Sequence, residues 1–298
     1  MEDQKYKEFL ECSELFANEN GLDDIYNFNR NEPSRLFILE NCEEMWQLFK
    51  PFCGDSHFIR EFRDKFRQKW WELFLAKSLL DNNITLNNGK SHGPDLCFGD
   101  TPKTWIEAIS VTGGEEGAPD SVPAVMFGVA QNVPTEKILL RVTSAFLTKA
   151  NKFKKYIEQG IVGPKDRLVI ATDLSGVNFA DTLDEDEMPI SCKALLGVGE
   201  LTMSISVDDL EDKRVFYPFR EKIKKEIGTD VPATGLLMEQ FNFISGVITN
   251  VRSFTQTVEN PNCLRLICNP YASNDLVPTE WEFLKGVYFV KEGKLEKL

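Results

Sequence analysis

One short segment, residues 104–111, constrains the fold of this chain more than any other, because a single acid interrupts an otherwise apolar strand pattern. Successive side chains of a strand point to opposite faces, so Glu107 shares a row with Trp105, Ile109 and Val111. A row of this composition is expected to be buried. A buried carboxylate is strongly unfavourable unless a cationic side chain or a metal ion lies beside it. The segment therefore predicts an ion pair or a metal site inside the protein.

A second short strand is predicted just before it. Residues 93–98 contain one acid, Asp95, and begin with Gly93 and Pro94. Proline has no amide hydrogen, so Pro94 is expected at the start of a strand rather than inside one. Residues 100–103 have the composition of a turn that joins the two strands. We therefore expect Asp95 to lie close to Glu107, which would provide two oxygen ligands for a hard cation.

The Gly93-Pro94-Asp95 sequence, followed by an apolar strand that contains Glu107, resembles the core of the PD-(D/E)XK nuclease superfamily. The resemblance extends over about residues 60–176. It implies an α/β fold of the restriction-endonuclease-like type, with a mixed β-sheet flanked by helices. It also implies a hydrolase that cleaves the phosphodiester bonds of nucleic acid, DNA rather than RNA, with Mg²⁺ or Mn²⁺ as cofactor.

The resemblance also assigns roles to individual residues. Asp95 and Glu107 would hold the metal, together with the backbone carbonyl of Ala108. A glutamate from the preceding helix often completes the metal site in this family, and Glu72 is the matching residue. Glu72 also lies at the edge of an apolar helix stripe, where a solvated flank residue is the alternative interpretation. Residues 55–81 are predicted to form that helix as one long amphipathic segment.

The chain departs from the family's motif at the lysine, which would stand two residues after the glutamate, where this chain has Ile109. A helix predicted for residues 135–159 contains a possible substitute. At about 100° per residue, Lys149 lies in the middle of that helix's apolar stripe. Three interpretations of Lys149 are open: it replaces the motif lysine, it forms a structural ion pair, or its ammonium group extends to solvent. Lys152 is the reserve candidate for the catalytic role.

The charge distribution bears on nucleic-acid binding. A net charge of −13 argues against indiscriminate binding, which depends on cationic side chains that neutralise phosphate. However, residues 60–77 carry more basic than acidic side chains, and residues 137–155 carry basic side chains without any acid. We expect these two helices to flank the carboxylates and to create a positive potential there. The alternative is that both runs are ordinary solvated helix faces.

The remaining segments predict the domain organisation. Residues 1–54 are expected to form a helical N-terminal appendage, and residues 55–298 the nuclease-like domain. Beyond the central segment, apolar or alternating patterns predict further strands, at residues 84–86, 167–172, 201–206, 243–248 and 264–268. Residues 220–227 are predicted to be helical.

Composition limits the class of protein. No apolar run is long enough to span a membrane, and the first residues lack the pattern of a signal peptide. The 7 cysteines fit no zinc spacing, and there are only 2 histidines. We therefore expect a soluble, cytoplasmic protein with free thiols and no membrane partner, while its oligomeric state stays open.

A rival function comes from a different class: a nuclease-like fold that no longer cleaves and serves as a protein or nucleic-acid interaction module. The missing lysine after Glu107 and the overall acidity favour it. The presence of Asp95, Glu107 and Lys149 together favours a nuclease. Other kinds of enzyme have little support in the sequence. It contains no glycine-rich nucleotide-binding motif, and no serine or cysteine has an evident base that would make it a nucleophile.

Overall fold

The computed structural model describes residues 2–17, 19–89, 92–184, 188–205, 211, 213–259 and 263–298. The helices are α1 (Glu2–Cys12), α2 (Asp24–Asn31), α3 (Leu36–Phe49), α4 (Phe58–Asp64), α5 (Phe66–Asp81), α6 (Thr135–Glu158), α7 (Ala180–Leu183), α8 (Ile190–Leu195) and α9 (Phe254–Glu259). The strands are β1 (Leu96–Phe98), β2 (Thr104–Thr112), β3 (Arg167–Gly176), β4 (Thr202–Ile205), β5 (Lys213–Phe216), β6 (Lys222–Ile223), β7 (Val231–Pro232), β8 (Gly246–Asn250), β9 (Arg265–Cys268), β10 (Gly286–Lys291) and β11 (Lys294–Lys297).

Seven of these strands form one mixed sheet in the order β1-β2-β3-β8-β9-β10-β11. The pairs β2–β3, β3–β8 and β9–β10 are parallel, whereas β1–β2, β8–β9 and β10–β11 are antiparallel. The sequence prediction of a mixed α/β sheet with helices is confirmed at this level. The strands predicted at residues 243–248 and 264–268 correspond to β8 and β9, which are neighbours in the sheet. The segment at residues 84–86 forms only an isolated bridge, between Leu86 and Phe98.

Helices cover both faces of the sheet and divide its core in two. Ile106 and Ala108 of β2 belong to the core on the side of α3 and α5. Trp105 and Val111 belong to the opposite core, which contains the apolar side of α6. The predicted division of this strand into two faces is therefore confirmed, and Glu107 lies on the face covered by α6.

The N-terminal helices pack directly on the segment that follows them. Trp46 of α3 stacks on Phe58 of α4 with the ring centroids 4.9 Å apart. The rings of Tyr26 in α2 and Phe62 in α4 are nearly perpendicular, with their centroids 6.2 Å apart. Such aromatic pairs each contribute about 0.5–1.5 kcal/mol beyond the area that they bury. Residues 1–54 thus share one continuous hydrophobic core with α5 and the sheet.

The prediction of one long amphipathic helix at residues 55–81 is wrong in two respects. The helix is interrupted at Lys65, whose φ of −144° and ψ of 56° are not helical. The carboxylate of Asp23 caps the new N-terminus, because it accepts the amide hydrogen of Phe66 at 3.0 Å. In addition, α5 is buried on nearly all sides, since it lies between the N-terminal helices and the sheet.

The predicted helix at residues 220–227 is also wrong. Its middle forms β6, in which Ile223 pairs with Val231 of β7. Glu136 of α6 holds the segment extended: its carboxylate accepts hydrogen bonds from Arg220 at 2.5 Å and from the Lys224 amide at 2.7 Å. A contact across this sequence distance outweighs a weak local preference for helix. The strand predicted at residues 201–206 corresponds to β4, with Ser206 outside the described residues.

Two predictions from composition can be compared with the structure. None of the seven cysteines, all of which lie in the described part of the chain, forms a disulfide. Among the described residues, no helix is both long and apolar enough to cross a membrane.

Candidate functional site

The pairing of β1 with β2 brings the two predicted carboxylates together. Leu96 lies opposite Ile106, and Cys97 lies opposite Trp105. When this register is continued by one residue, Asp95 lies opposite Glu107. The backbone pairing stops there, and the Asp95 carboxylate instead accepts the amide hydrogen of Ala108 at 2.7 Å. The hydrogen bond fixes the Asp95 side chain against β2.

Glu107 is fully buried and its two carboxylate oxygens have different surroundings. Oε1 accepts hydrogen bonds from the ammonium groups of Lys149, at 2.8 Å, and of Lys152. Oε2 is buried, and no group among the described residues forms a hydrogen bond with it. Burial raises the pKa of Glu107, the negative charge of Asp95 raises it further, and the two lysines oppose both effects. The site thus contains a buried acid with two cations on one oxygen and, within the part of the chain that the structure describes, no hydrogen bond to the other.

Lys149 and Lys152 occupy successive turns of α6 but differ in exposure. The side chain of Lys149 is 11% exposed, whereas that of Lys152 is 42% exposed. Lys149 points at Glu107 rather than at solvent, so the interpretation in which its ammonium group extends to solvent is wrong. The Lys152 ammonium group also lies 5.7 Å from the centroid of the Tyr156 ring, and the Tyr156 hydroxyl donates to the Gly93 carbonyl at 2.9 Å. Both lysines therefore reach the carboxylate, one from the core and one from the surface.

Glu72 is buried, which excludes the interpretation of a solvated flank residue. Its Oε1 accepts a hydrogen bond from Gln68 at 3.0 Å, and its Oε2 accepts one from Lys69 at 3.0 Å. Burial is the main cause that raises the pKa of Glu72 to about 7, and the charge of Asp95 adds to it. Asp95 thus lies within electrostatic reach of both glutamates.

The Lys69 ammonium group is the centre of a small ion network that the sequence did not predict. It contacts the carboxylates of Glu72, Asp55 and Glu61 at 3.0, 3.2 and 3.3 Å. It also lies 4.9 Å from the centroid of the Phe58 ring. The position of Lys69 within an apolar stripe was a signal of the same kind as that of Lys149, and it could have identified this buried cation.

A narrow cleft opens beside these groups. It has a volume of about 130 Å³, and its lining includes Asp55, Lys69, Glu72, Gly93 and Asp95. The cleft has room for a few water molecules or an ion, since one water occupies about 30 Å³ in the liquid. Glu72 and Asp95 thus line the cleft, whereas Glu107 is fully buried and is not among the lining residues.

The carbonyl of Ala108 has a partner that the sequence did not indicate. Gln68 of α5 donates to this oxygen at 3.2 Å, and its own side-chain oxygen accepts the amide hydrogen of Ser110 at 2.9 Å. Gln68 has no position in an apolar stripe and no charge, so no pattern marked it. Its contacts follow from the approach of α5 to β2.

The described residues contain no group of three or more histidine, cysteine, aspartate or glutamate side chains arranged to hold a metal ion. A metal at this site would therefore have few protein ligands and would need water to complete its coordination. Mg²⁺ has this preference, since it is often bound by one or two carboxylates and retains several waters. The Asp95 carboxylate and the unpartnered Oε2 of Glu107 are hard oxygen donors of the kind that this ion requires.

The basic helices are less available for external anions than their sequence indicates. Lys69, Lys149 and Lys152 bind carboxylates of the protein itself. Outside the site, Lys77 pairs with Asp81 at 2.8 Å. Intramolecular pairs of this kind account for much of the positive charge, so a positive potential at the site stays a prediction.

Comparisons with protein-family models, with curated proteins and with solved structures find no match to this chain. The functional conclusion therefore rests on the position and chemistry of its own residues.

Proposed function

We propose that this chain is a metal-dependent nuclease with a restriction-endonuclease-like core, which hydrolyses phosphodiester bonds of DNA rather than RNA. The observation that carries the proposal is Glu107. Its carboxylate is fully buried beside Asp95 and has two lysines on one oxygen, while the other oxygen has no hydrogen-bond partner among the described residues. A carboxylate that served only as a structural ion pair is expected to have both oxygens satisfied, because an unpaired buried polar atom is costly.

Asp95 and Glu107 would hold Mg²⁺ or Mn²⁺, and the Ala108 carbonyl is a further possible ligand. When bound, the cation would lower the pKa of a bound water and offset charge on the scissile phosphate. The hydrogen bond from the Ala108 amide orients the Asp95 carboxylate before any ligand arrives. Glu72 lines the same cleft and adds a third acid near Asp95.

The family motif has a single catalytic lysine, and in this chain Lys149 and Lys152 would share its role. Lys149 is held in the core, where its ammonium group favours the charged form of Glu107 and fixes the position of the carboxylate. Lys152 is the more exposed of the two, so its ammonium group can turn from Glu107 to a phosphate oxygen of the substrate. There it would stabilise the negative charge that develops in the transition state.

A cleavage assay tests the proposal. The purified chain is incubated with single- and double-stranded DNA and with RNA, in Mg²⁺, in Mn²⁺ and in a chelator. We expect metal-dependent cleavage of DNA, and we expect Asp95→Asn to abolish it, because asparagine lacks the negative charge that holds the metal. Asparagine can still accept the Ala108 amide hydrogen, so the fold should be retained. Asp81→Asn is the matched control, since Asp81 pairs with Lys77 on the surface. Activity in the chelator, or unchanged activity in Asp95→Asn, would contradict the proposal.

One observation favours the alternative, an interaction module without catalysis. The loop between β2 and α6 exposes several apolar side chains, among them Met126, Val129 and Phe127, which is 97% exposed. Exposed apolar clusters often mark binding surfaces. If the wild-type protein cleaves neither DNA nor RNA with either metal, the alternative is favoured. In that case Phe127→Ser should weaken the binding of a partner without changing the melting temperature.

A further inference from the structure

The backbone of β2 extends beyond the strand that pairs with it. The β1–β2 pairing ends where Leu96 lies opposite Ile106, but β2 continues to Thr112. The backbone groups of Ala108 and Ser110 on this side need other partners, because buried amides and carbonyls are rarely left unpaired. Side chains supply them: Asp95 accepts from the Ala108 amide, while Gln68 serves the Ala108 carbonyl and the Ser110 amide.

Gln68 therefore acts as a short extension of the sheet. Its side-chain amide has a donor and an acceptor, and it binds β2 with both, as a neighbouring strand would. The same nitrogen also donates to Oε1 of Glu72 at 3.0 Å. One NH₂ group thus joins the Ala108 carbonyl to the Glu72 carboxylate, two of the oxygen groups assigned to the metal site.

We propose that Gln68 is a positioning residue that sets the Ala108 carbonyl and the Glu72 carboxylate for cation binding. This inference rests on the proposed function. Residues that hydrogen-bond to metal ligands orient them, and their loss typically lowers metal affinity by about 10–100-fold. Gln68 contacts two ligand groups at once, so its removal frees both.

The attachment of α5 to the sheet does not depend on Gln68. Trp71, one helical turn away, is fully buried and donates its indole hydrogen to the Ala171 carbonyl at 3.0 Å. Leu73 and Phe74 add further buried apolar contacts. Loss of the Gln68 side-chain amide should therefore change the site more than the fold.

The test measures the binding of Mn²⁺ to the full chain. Two methods are used: titration calorimetry and the electron paramagnetic resonance signal of free Mn²⁺. Gln68→Met keeps the length of the side chain and removes its hydrogen bonds. We expect Mn²⁺ affinity to fall about 10-fold or more, with a melting temperature close to that of the wild type. Gln47→Met is the matched control, because Gln47 also donates to a glutamate four residues away, Glu43 at 2.9 Å, on an exposed part of α3. Asp95→Asn should abolish binding and so identify the site.

The outcomes separate the inference from the function on which it rests. If the wild type binds Mn²⁺ through Asp95 and Gln68→Met binds it equally well, Gln68 has no positioning role and the proposed function stands. If the wild type binds no Mn²⁺, both are refuted. Gln68→Asn, which is too short to reach all three partners, serves as a second variant should Gln68→Met not fold. If neither variant folds, Gln68 is a structural residue and the inference is overturned.

Discussion

Replacement of Lys149 and Lys152 by methionine, singly and together, tests how the buried charge of Glu107 is stabilised. Methionine keeps most of the volume of the lysine stem and removes the ammonium group. Both ammonium groups bind the same oxygen of Glu107, so either lysine alone can still neutralise the carboxylate. The two single variants and the double variant therefore form a thermodynamic cycle.

The magnitudes follow from the burial of each lysine. A hydrogen bond to a charged group contributes about 1.5–3 kcal/mol, which is the expected loss of unfolding free energy in Lys149→Met. Lys152→Met should lose only about 1 kcal/mol, because the Lys152 side chain is 42% exposed and solvent screens its charge. The double variant leaves Glu107 buried without a cation, a situation that typically costs about 3–5 kcal/mol. Its loss should exceed the sum of the two single losses, because each single variant keeps one cation on the carboxylate and only the double variant leaves the buried charge without any.

The measurement is urea-induced unfolding of the four proteins at pH 8 without divalent metal. Burial already raises the pKa of Glu107, and removal of both lysines should raise it further. The deficit of the double variant should therefore shrink as the pH is lowered, because a protonated Glu107 needs no cation. Strictly additive losses, or a deficit that does not change with pH, would refute the reasoning.

The same variants separate the roles of the two lysines in cleavage. Loss of one group that stabilises transition-state charge typically lowers kcat by about 10²–10³-fold. We expect a loss of this size in Lys152→Met with nearly native stability. A Lys152→Met variant with wild-type cleavage would transfer the catalytic role to Lys149.

Two further predictions concern neighbouring elements. The pKa of Glu72 is raised to about 7, so the folded protein binds a proton that the unfolded chain releases near its usual value of 4.5. Without metal, the free energy of unfolding should therefore decrease as the pH rises from about 4.5 to about 7. In Glu72→Gln, the free energy of unfolding from urea denaturation should depend less on pH over this range. An unchanged pH dependence would contradict the raised pKa of Glu72. Asp23 caps both α2 and α5, so Asp23→Ala should lower the unfolding free energy by about 1–2 kcal/mol or more, whereas a loss near zero would show that the Phe66 contact is dispensable.

The central pair of this site could be predicted from local sequence patterns. Glu107 and Lys149 each interrupt an apolar row, one in a strand and one in a helix, and burial of either charge requires a partner. The structure brings them together as an ion pair. The periodicities that placed them, two residues in β2 and about 3.6 in α6, depend only on neighbouring residues.

Other parts depend on contacts between distant segments. The break at Lys65 accompanies a cap from Asp23, 43 residues before Phe66. Gln68 is an ordinary helix residue until α5 approaches β2. Glu136 keeps residues 220–227 from forming a helix through contacts that span more than 80 residues. Local propensity and periodicity contain no information about such partners.

The most direct test of the central claim is a crystal structure of the protein soaked in Mn²⁺, with the metal located by its anomalous scattering. We expect one peak between Asp95 and Glu107, with Oε2 of Glu107 among the ligands and water in several of the remaining positions. An absent peak, or a peak elsewhere with Glu107 Oε2 still unpartnered, would contradict the proposal that this chain is a metal-dependent nuclease.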